Sequence, residues 1–215
     1  MEATVVDLFY NQDRQLHSKE LPVTDEQLLL EYRQSGDREL FAQLVYRYER
    51  ELFSYLRRYL GNREWAQDAF QATFLQVHLK CDSFDTDRRF RPWLYAIATN
   101  QAIDTRRRNS RHQMVSLDSP AGNFDDEVAR IVNMLESTDA TPEEKLQSAE
   151  RVALVRETLQ QLPEASYTVI QLVYFQGMKY REVAEVLDVP VGTVKSRLNA
   201  AITKLADAWQ KSEVE

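Results

Sequence analysis

YREVAEVLDVPVGTVKSRLNAA, residues 180–201, is the stretch on which the fold turns. Its first half puts Val183, Ala184 and Leu187 on one helical face, with Glu182 and Glu185 outside. The pattern stops at Asp188-Val189-Pro190, and after Val191-Gly192 a second helix is expected to open with Thr193 as its N-cap. Val194, Leu198, Ala201, Ile202, Leu205 and Trp209 then recur at helical spacing as an apolar stripe. The opposite face shows Thr193, Lys195, Ser196, Arg197 and Asn199. Two short helices, a tight turn and a second helix with one apolar and one cationic face spell a helix-turn-helix. Lys195 and Arg197 suit phosphates or guanine edges, while Asn199 and Thr193 suit base edges or backbone positioning. A solvated amphipathic hairpin would carry the same stripe. The coincidence of the turn, small Gly192 and a capping threonine favours DNA.

Outward from that stretch, apolar residues cluster at a period of 3.6 rather than 2, and only five glycines and six prolines interrupt 215 residues. An all-α protein of two small helical domains is expected. No run of about 18 uncharged apolar residues exists, so no membrane insertion is expected. No signal-peptide pattern opens the chain either, and the cytoplasm is the expected location. One cysteine, Cys81, excludes an internal disulfide framework, and three scattered histidines give no sensible zinc set. Neither metal nor cofactor is expected.

A net charge of −7 looks wrong for a nucleic-acid binder until the charge is located. Residues 32–112 hold fifteen bases and ten acids, whereas residues 113–150 hold nine acids and two bases. Residues 1–31 carry a net −5, and residues 151–215 balance at eight each. Local fields, not the total, govern approach to DNA.

In chain order, residues 1–23 show weak periodicity and read as an extension. Thr24-Asp25-Glu26-Gln27 matches a capping box. Gly36-Asp37 closes that helix and starts a long amphipathic one, which ends at Gly61-Asn62. A third helix runs from Arg63 to about Leu79. On it, Asp68, Gln71 and Phe74 form a row at spacings of three. The row reads either as a surface for another protein or as ordinary solvated helix with Phe74 in the core. The segment CDSFDTDRRFR, residues 81–91, breaks the pattern with Phe84 and Phe90 as anchors. Pro92 then opens a fourth helix, Trp93 to about Arg108. Arg88, Arg89, Arg91, Arg106, Arg107, Arg108 and Arg111 crowd its two ends, with Trp93 and Tyr95 interleaved. Arginine beside aromatics is the chemistry of backbone neutralisation and of stacking on unpaired bases. The helix dipole accounts for arginines at the C-terminal end but not for those before the helix.

A polar, acidic, flexible linker is expected over residues 112–142, separating a first domain of residues 24–111 from a second of residues 143–215. In the second, Leu146, Val155, Leu159 and Leu162 line one helix, and Pro163 opens another that ends at Gly177.

Together these stretches resemble the bacterial extracytoplasmic-function (ECF) sigma factors of the sigma-70 family, over roughly residues 24–111 and 143–209. Ala66-x-Asp68-x-x-Gln71-x-x-Phe74 looks like the polymerase-contacting helix of region 2. Trp93-Leu94-Tyr95-x-Ile97-Ala98-x-Asn100 through Asp104-x-Arg106-Arg107 looks like the helix that melts and reads the −10 element. Gly192-Thr193-Val194-Lys195-Ser196-Arg197-Leu198 and Glu182-Val183-Ala184 resemble the −35-reading region 4. His78 stands where the family often has tryptophan.

The resemblance implies RNA polymerase core and promoter DNA as partners. Asp68, Gln71 and Phe74 would dock on the coiled coil of the largest subunit, and the second domain on the flap of the second-largest. It further implies −10 contacts from Arg88, Arg91, Trp93, Asn100, Arg106, Arg107, Arg108 and Arg111, and −35 contacts from Arg181, Thr193, Lys195, Ser196, Arg197 and Asn199. An anti-sigma factor is a common further partner of such proteins. A stand-alone regulator using the same helix-turn-helix would need no Asp68/Gln71/Phe74 face. An enzyme would need a nucleophile–base pair, a metal set or a phosphate loop, and none is legible.

Overall fold

The computed structural model describes residues 23–110, 154, 155 and 157–212, and every regular element among them is helical. The extension, most of it before Val23, and the acidic linker therefore lie outside the described residues.

Helix α1, Asp25–Ser35, opens on the expected capping box. Thr24 Oγ1 accepts from Gln27 N at 3.2 Å and Gln27 Oε1 accepts from Thr24 N at 2.9 Å. It ends at Gly36 with φ of 68°, a left-handed cap that a side chain would strain. Asp37 caps α2, Arg38–Leu60, by accepting from Glu39 N at 3.0 Å. Asn62 caps α3, Arg63–Lys80, by accepting from Trp65 N at 3.0 Å. A short 3-10 turn, Cys81–Ser83, leads to α4, Phe90–Ser110. This helix begins three residues before the expected start, because Glu26 on α1 reaches across and its Oε1 accepts from Phe90 N at 2.8 Å. A carboxylate there satisfies a donor the helix leaves open and complements its dipole.

These four helices enclose Leu28, Leu44, Leu52, Tyr55, Val77 and Leu94, among others, each almost fully buried. Burial of one such side chain contributes about 1.5–3 kcal/mol. Asp25 fastens α1 to α2, accepting from Arg47 at 2.7 Å and from Tyr48 at 2.6 Å. Tyr55 and Thr99 hydroxyls meet at 2.8 Å inside the bundle, joining α2 to α4.

Beyond residue 157 the chain builds a second set. Pro163 precedes α5, Glu164–Ile170, and a wider π turn, Gln171–Phe175, continues it to Gly177. Then come α6, Tyr180–Leu187, and α7, Val191–Ser212. Val155, Leu159, Ile170, Leu172, Val183 and Val194 are buried in this set.

The sequence predicts two modules on a tether, and the structure brings them into one continuous core. Helix α4 lies across α6, and the C-terminal end of α2 meets the π turn. Next to that contact, Tyr59 Oη on α2 and Thr168 Oγ1 on α5 are 2.8 Å apart.

Candidate nucleic-acid interface

Helix α6 closes at Asp188, whose φ of 49° turns the chain so that Val189 N can donate to Ala184 O at 3.0 Å. Asparagine and aspartate tolerate this left-handed position better than other non-glycine residues. Pro190 then supplies the carbonyl that starts α7, accepting from Thr193 N at 2.9 Å and from Val194 N at 3.3 Å. Thr193 is accordingly inside the first turn and is not the N-cap the sequence suggested. Proline has its φ already fixed for this role, so the cap falls three residues earlier, at Pro190, and the helix opens at Val191.

Buried Val194, Leu198 and Ala201 set the orientation of α7. Lys195, Ser196 and Asn199 are exposed, and Thr193 and Arg197 half-buried. Ile202 is 41% exposed, so the apolar stripe is narrower than its spacing implied; the Trp209 side chain lies outside the described residues. Ser196 Oγ donates to Thr193 O at 3.0 Å. Arg181 is exposed at the start of α6. Among the described residues Arg181, Lys195 and Arg197 enter no ion pair, which leaves three cations on one module able to meet phosphate.

Helix α4 splits the expected −10 set in two. Arg88, Asn100, Arg107 and Arg108 are exposed. Arg88 pairs with Asp85 at 3.7 Å, and Arg107 donates to Glu164 at 2.7 Å. Trp93 is half-buried, its ring 4.9 Å from Phe84 and 5.9 Å from Phe90, so it braces the 84–90 loop rather than standing free as a stacking platform. Arg106 is half-buried too, its guanidinium 4.7 Å from the centre of the Tyr167 ring. Arg91 donates to Glu51 and, at 3.1 Å, to the Gln176 carbonyl, and lies over the Tyr95 ring. Burial works against its charge, but Glu51 outweighs burial and holds the guanidinium protonated. Burial, reinforced by Glu51, pushes the Tyr95 phenol well above its ordinary range, so it stays a neutral donor. Arg91, Trp93 and Arg106 are thus not on an open surface, contrary to the sequence expectation. Arg111 lies outside the described residues.

On α3, Asp68 and Gln71 are exposed but Phe74 is 4% exposed, its ring against Phe41 and Phe70. Phe74 is core and cannot dock a partner. The exposed apolar neighbours are Leu75 and Leu79, at 51% and 62%. At 100° per residue Leu75 returns to within about 20° of Asp68, whereas Phe74 falls about 120° away. Its spacing of seven from Asp68 puts Leu75 on the same exposed side of the helix. His78 Nδ1 sits 2.7 Å from Tyr32 Oη, which ties α3 to α1. Residues the sequence did not mark are Glu51, Glu164 and Gln176, and Glu182 was marked only as an outward-facing residue; their partners within the chain lie 40 to 93 residues away.

Among the described residues no group of three or more His, Cys, Asp or Glu could hold a metal ion. No helix among them is long and apolar enough to cross a membrane.

Two family profiles match the chain: sigma-70 region 2 over residues 44–112 and sigma-70 region 4 over residues 153–205. It is 33% identical over 169 residues to the ECF RNA polymerase sigma factor SigW of Bacillus subtilis, covering 76% of this chain and 86% of that one. Over 185 residues it is 32% identical to the RNA polymerase sigma-H factor of Pseudomonas aeruginosa, covering 86% and 94%. Among solved structures, CnrH in complex with the cytosolic domain of CnrY is similar at 28% identity and a TM-score of 0.60, covering 87% of this chain and 97% of that one.

Proposed function

The chain belongs to the ECF sigma factors of the sigma-70 family, and from that premise we propose how its residues divide the work of promoter-directed transcription initiation. The observation that carries the division is the pairing, in one chain, of a cationic helix-turn-helix face that enters no ion pair among the described residues with an arginine-flanked α4. Residues 143–215 hold the −35 duplex: Lys195 and Arg181 on phosphates, Arg197, Asn199, Thr193 and Ser196 toward base edges or adjacent backbone. Residues 24–111 capture the opened −10 strand. Asn100 and the loop before α4, with Arg88, receive an extruded base, while Arg107 and Arg108 neutralise the backbone. Unstacking a base costs of order a few kcal/mol, offset by its new contacts. No covalent step by this chain is needed.

Docking on the coiled coil of the largest polymerase subunit falls to Asp68 and Gln71 with Leu75 and Leu79, in place of Phe74. The second module meets the flap of the second-largest subunit. Polymerase sets the distance between the two modules, so sequence preference belongs to the assembled enzyme. A complex such as that of CnrH with CnrY supports a protein partner that regulates access. The site of action is the cytoplasm, where the polymerase works.

Run-off transcription with core polymerase on a genomic fragment library tests this reading. Discrete start sites that depend on the chain are expected. Association with core but initiation without preferred start sites would refute the promoter-reading role.

A further inference from the structure

Resting on the reading of the loop before α4 as the receiver of an extruded base, we propose that Glu26 on α1 is a positioning residue for that capture. Its carboxylate touches no nucleic acid. It fixes where α4 begins and thereby sets the loop, with Arg88, against Asn100 on the helix.

The loop is a clip with two buried feet. Phe84 and Phe90 are both buried, their rings 6.2 Å apart, and Trp93 completes the group. Between the feet, residues 85–89 are exposed and fold on themselves. Asp85 O accepts from Arg88 N at 3.0 Å, and Asp85 Oδ1 accepts from Asp87 N at 3.1 Å. An aspartate that closes its own turn holds the tip's shape locally. Where that tip sits in space is then decided by the feet.

The first foot is tied within its own turn, Phe84 N donating to Cys81 O at 3.2 Å. The second has no local tie. Residue 89, where a helix wants a short accepting side chain, is an arginine, which has donors only. The first turn of α4 carries no acidic residue either. The missing acceptor comes from 64 residues away: half-buried Glu26 takes the Phe90 N–H at 2.8 Å. A carboxylate on that donor makes a charge-assisted bond and meets the positive end of the helix dipole.

The platform beneath Glu26 is itself fixed. Its neighbour Asp25 accepts from Arg47 and from Tyr48, and the Tyr48 ring lies 5.5 Å from that of Phe90. The first turn of α1 therefore holds Phe90 twice, by its amide through Glu26 and by its ring through Tyr48. A cap for stability alone could have come from residue 89. Supplying it from α1 makes the register between Arg88 and Asn100, which flank Phe90 in the chain, depend on one carboxylate. Without that acceptor the first turn of α4 is free to fray, and the two groups assigned to the base lose their common frame.

The test uses the full chain with core polymerase on a promoter found by the run-off experiment. Wild type is compared with E26A, with E26Q and with N62A, which removes the cap of α3 at the end of that helix remote from the loop. Opening is followed by 2-aminopurine fluorescence in the −10 element, with a single abasic nucleotide walked along it. Hydrogen exchange over residues 84–93 is read on the free chain. E26A is expected to slow opening about tenfold, and E26Q, whose amide oxygen can still accept from Phe90 N, by no more than about threefold. N62A should open the promoter like wild type. Exchange over 84–93 should rise in E26A and not in N62A. At the abasic position that slows wild type most, E26A should lose nothing further, because no base is left to position. Opening by E26A at the wild-type rate, an equal loss in N62A, or no recovery in E26Q would overturn the inference. If no abasic position slows wild type, the capture reading falls and takes the inference with it. A position that slows wild type while E26A stays unimpaired on intact DNA defeats the inference alone.

Discussion

At the scale of single residues, charge alone did not separate contacts for DNA from contacts within the chain. Lys195 and Arg91 look equally cationic in sequence, yet Lys195 is exposed and without an ion pair among the described residues, while Arg91 is half-buried on Glu51. Lys195→Ala is therefore expected to weaken −35 binding by the holoenzyme evenly across sequences and to flatten its salt dependence. Arg197→Ala should instead cost roughly 1–3 kcal/mol at particular base pairs and relax preference there. Holoenzyme affinities for a set of single-base −35 variants, taken at two salt concentrations, check both. A uniform loss for Arg197→Ala would remove it from base reading. Tyr55→Phe belongs at this scale too. It strips one half of the buried Tyr55–Thr99 bond and leaves a hydroxyl unpaired, so urea unfolding should report a loss of about 1–2 kcal/mol.

Whole helices were legible wherever a cap or a period marked them. Thr24, Asp37 and Asn62 each cap the helix their positions announced, since short polar side chains before an apolar period are local signals that need no tertiary information. The start of α4 was missed because its capping carboxylate, Glu26, lies 64 residues away. The row on α3 was left open between a partner surface and a helix with Phe74 in the core, and the burial of Phe74 has a simple cause: a polar-polar-aromatic row at spacings of three drifts around the helix, and Phe74 ends it on the buried side. The two faces make opposite predictions. Leu75→Arg is expected to leave thermal stability within about 0.5 kcal/mol, as for other surface changes, while pull-down of core polymerase falls sharply. Phe74→Ala should cost about 3–5 kcal/mol of stability by opening a cavity beside Phe41 and Phe70. Should Leu75→Arg retain full polymerase binding, the exposed face of α3 would not be the docking surface.

For the molecule as a whole, both modules and their order could be read from sequence, but their closed packing could not. Arg107 with Glu164 and Arg89 with Glu182 are ordinary surface charges in any window shorter than the gap between them. The seam also carries three phenols, Tyr59, Tyr95 and Tyr167, and these give it a pH limit. Burial is the largest cause raising all three above the ordinary value of 10.0. Glu51 adds to it at Tyr95, while Arg106 pulls down Tyr59 and Tyr167 without reversing the direction. A group whose folded value is raised contributes stability that is complete below its unfolded value and is lost as pH climbs through the folded one. The closed state should accordingly keep its stability up to about pH 10 and lose it progressively above that, as buried phenols must ionise, Tyr95 beside Glu51 among them. Arg91 and Arg107, both raised by their carboxylate partners, remain charged throughout and do not set the limit. Scattering radius, tyrosinate absorbance and far-ultraviolet circular dichroism followed together against pH are expected to show expansion with tyrosine ionisation above pH 10. Tyr167→Phe keeps the ring over Arg106 but removes its ionisable hydroxyl, and should move that expansion to higher pH. An expansion already complete below pH 9, or one indifferent to Tyr167→Phe, would mean that the buried phenols do not hold the modules together.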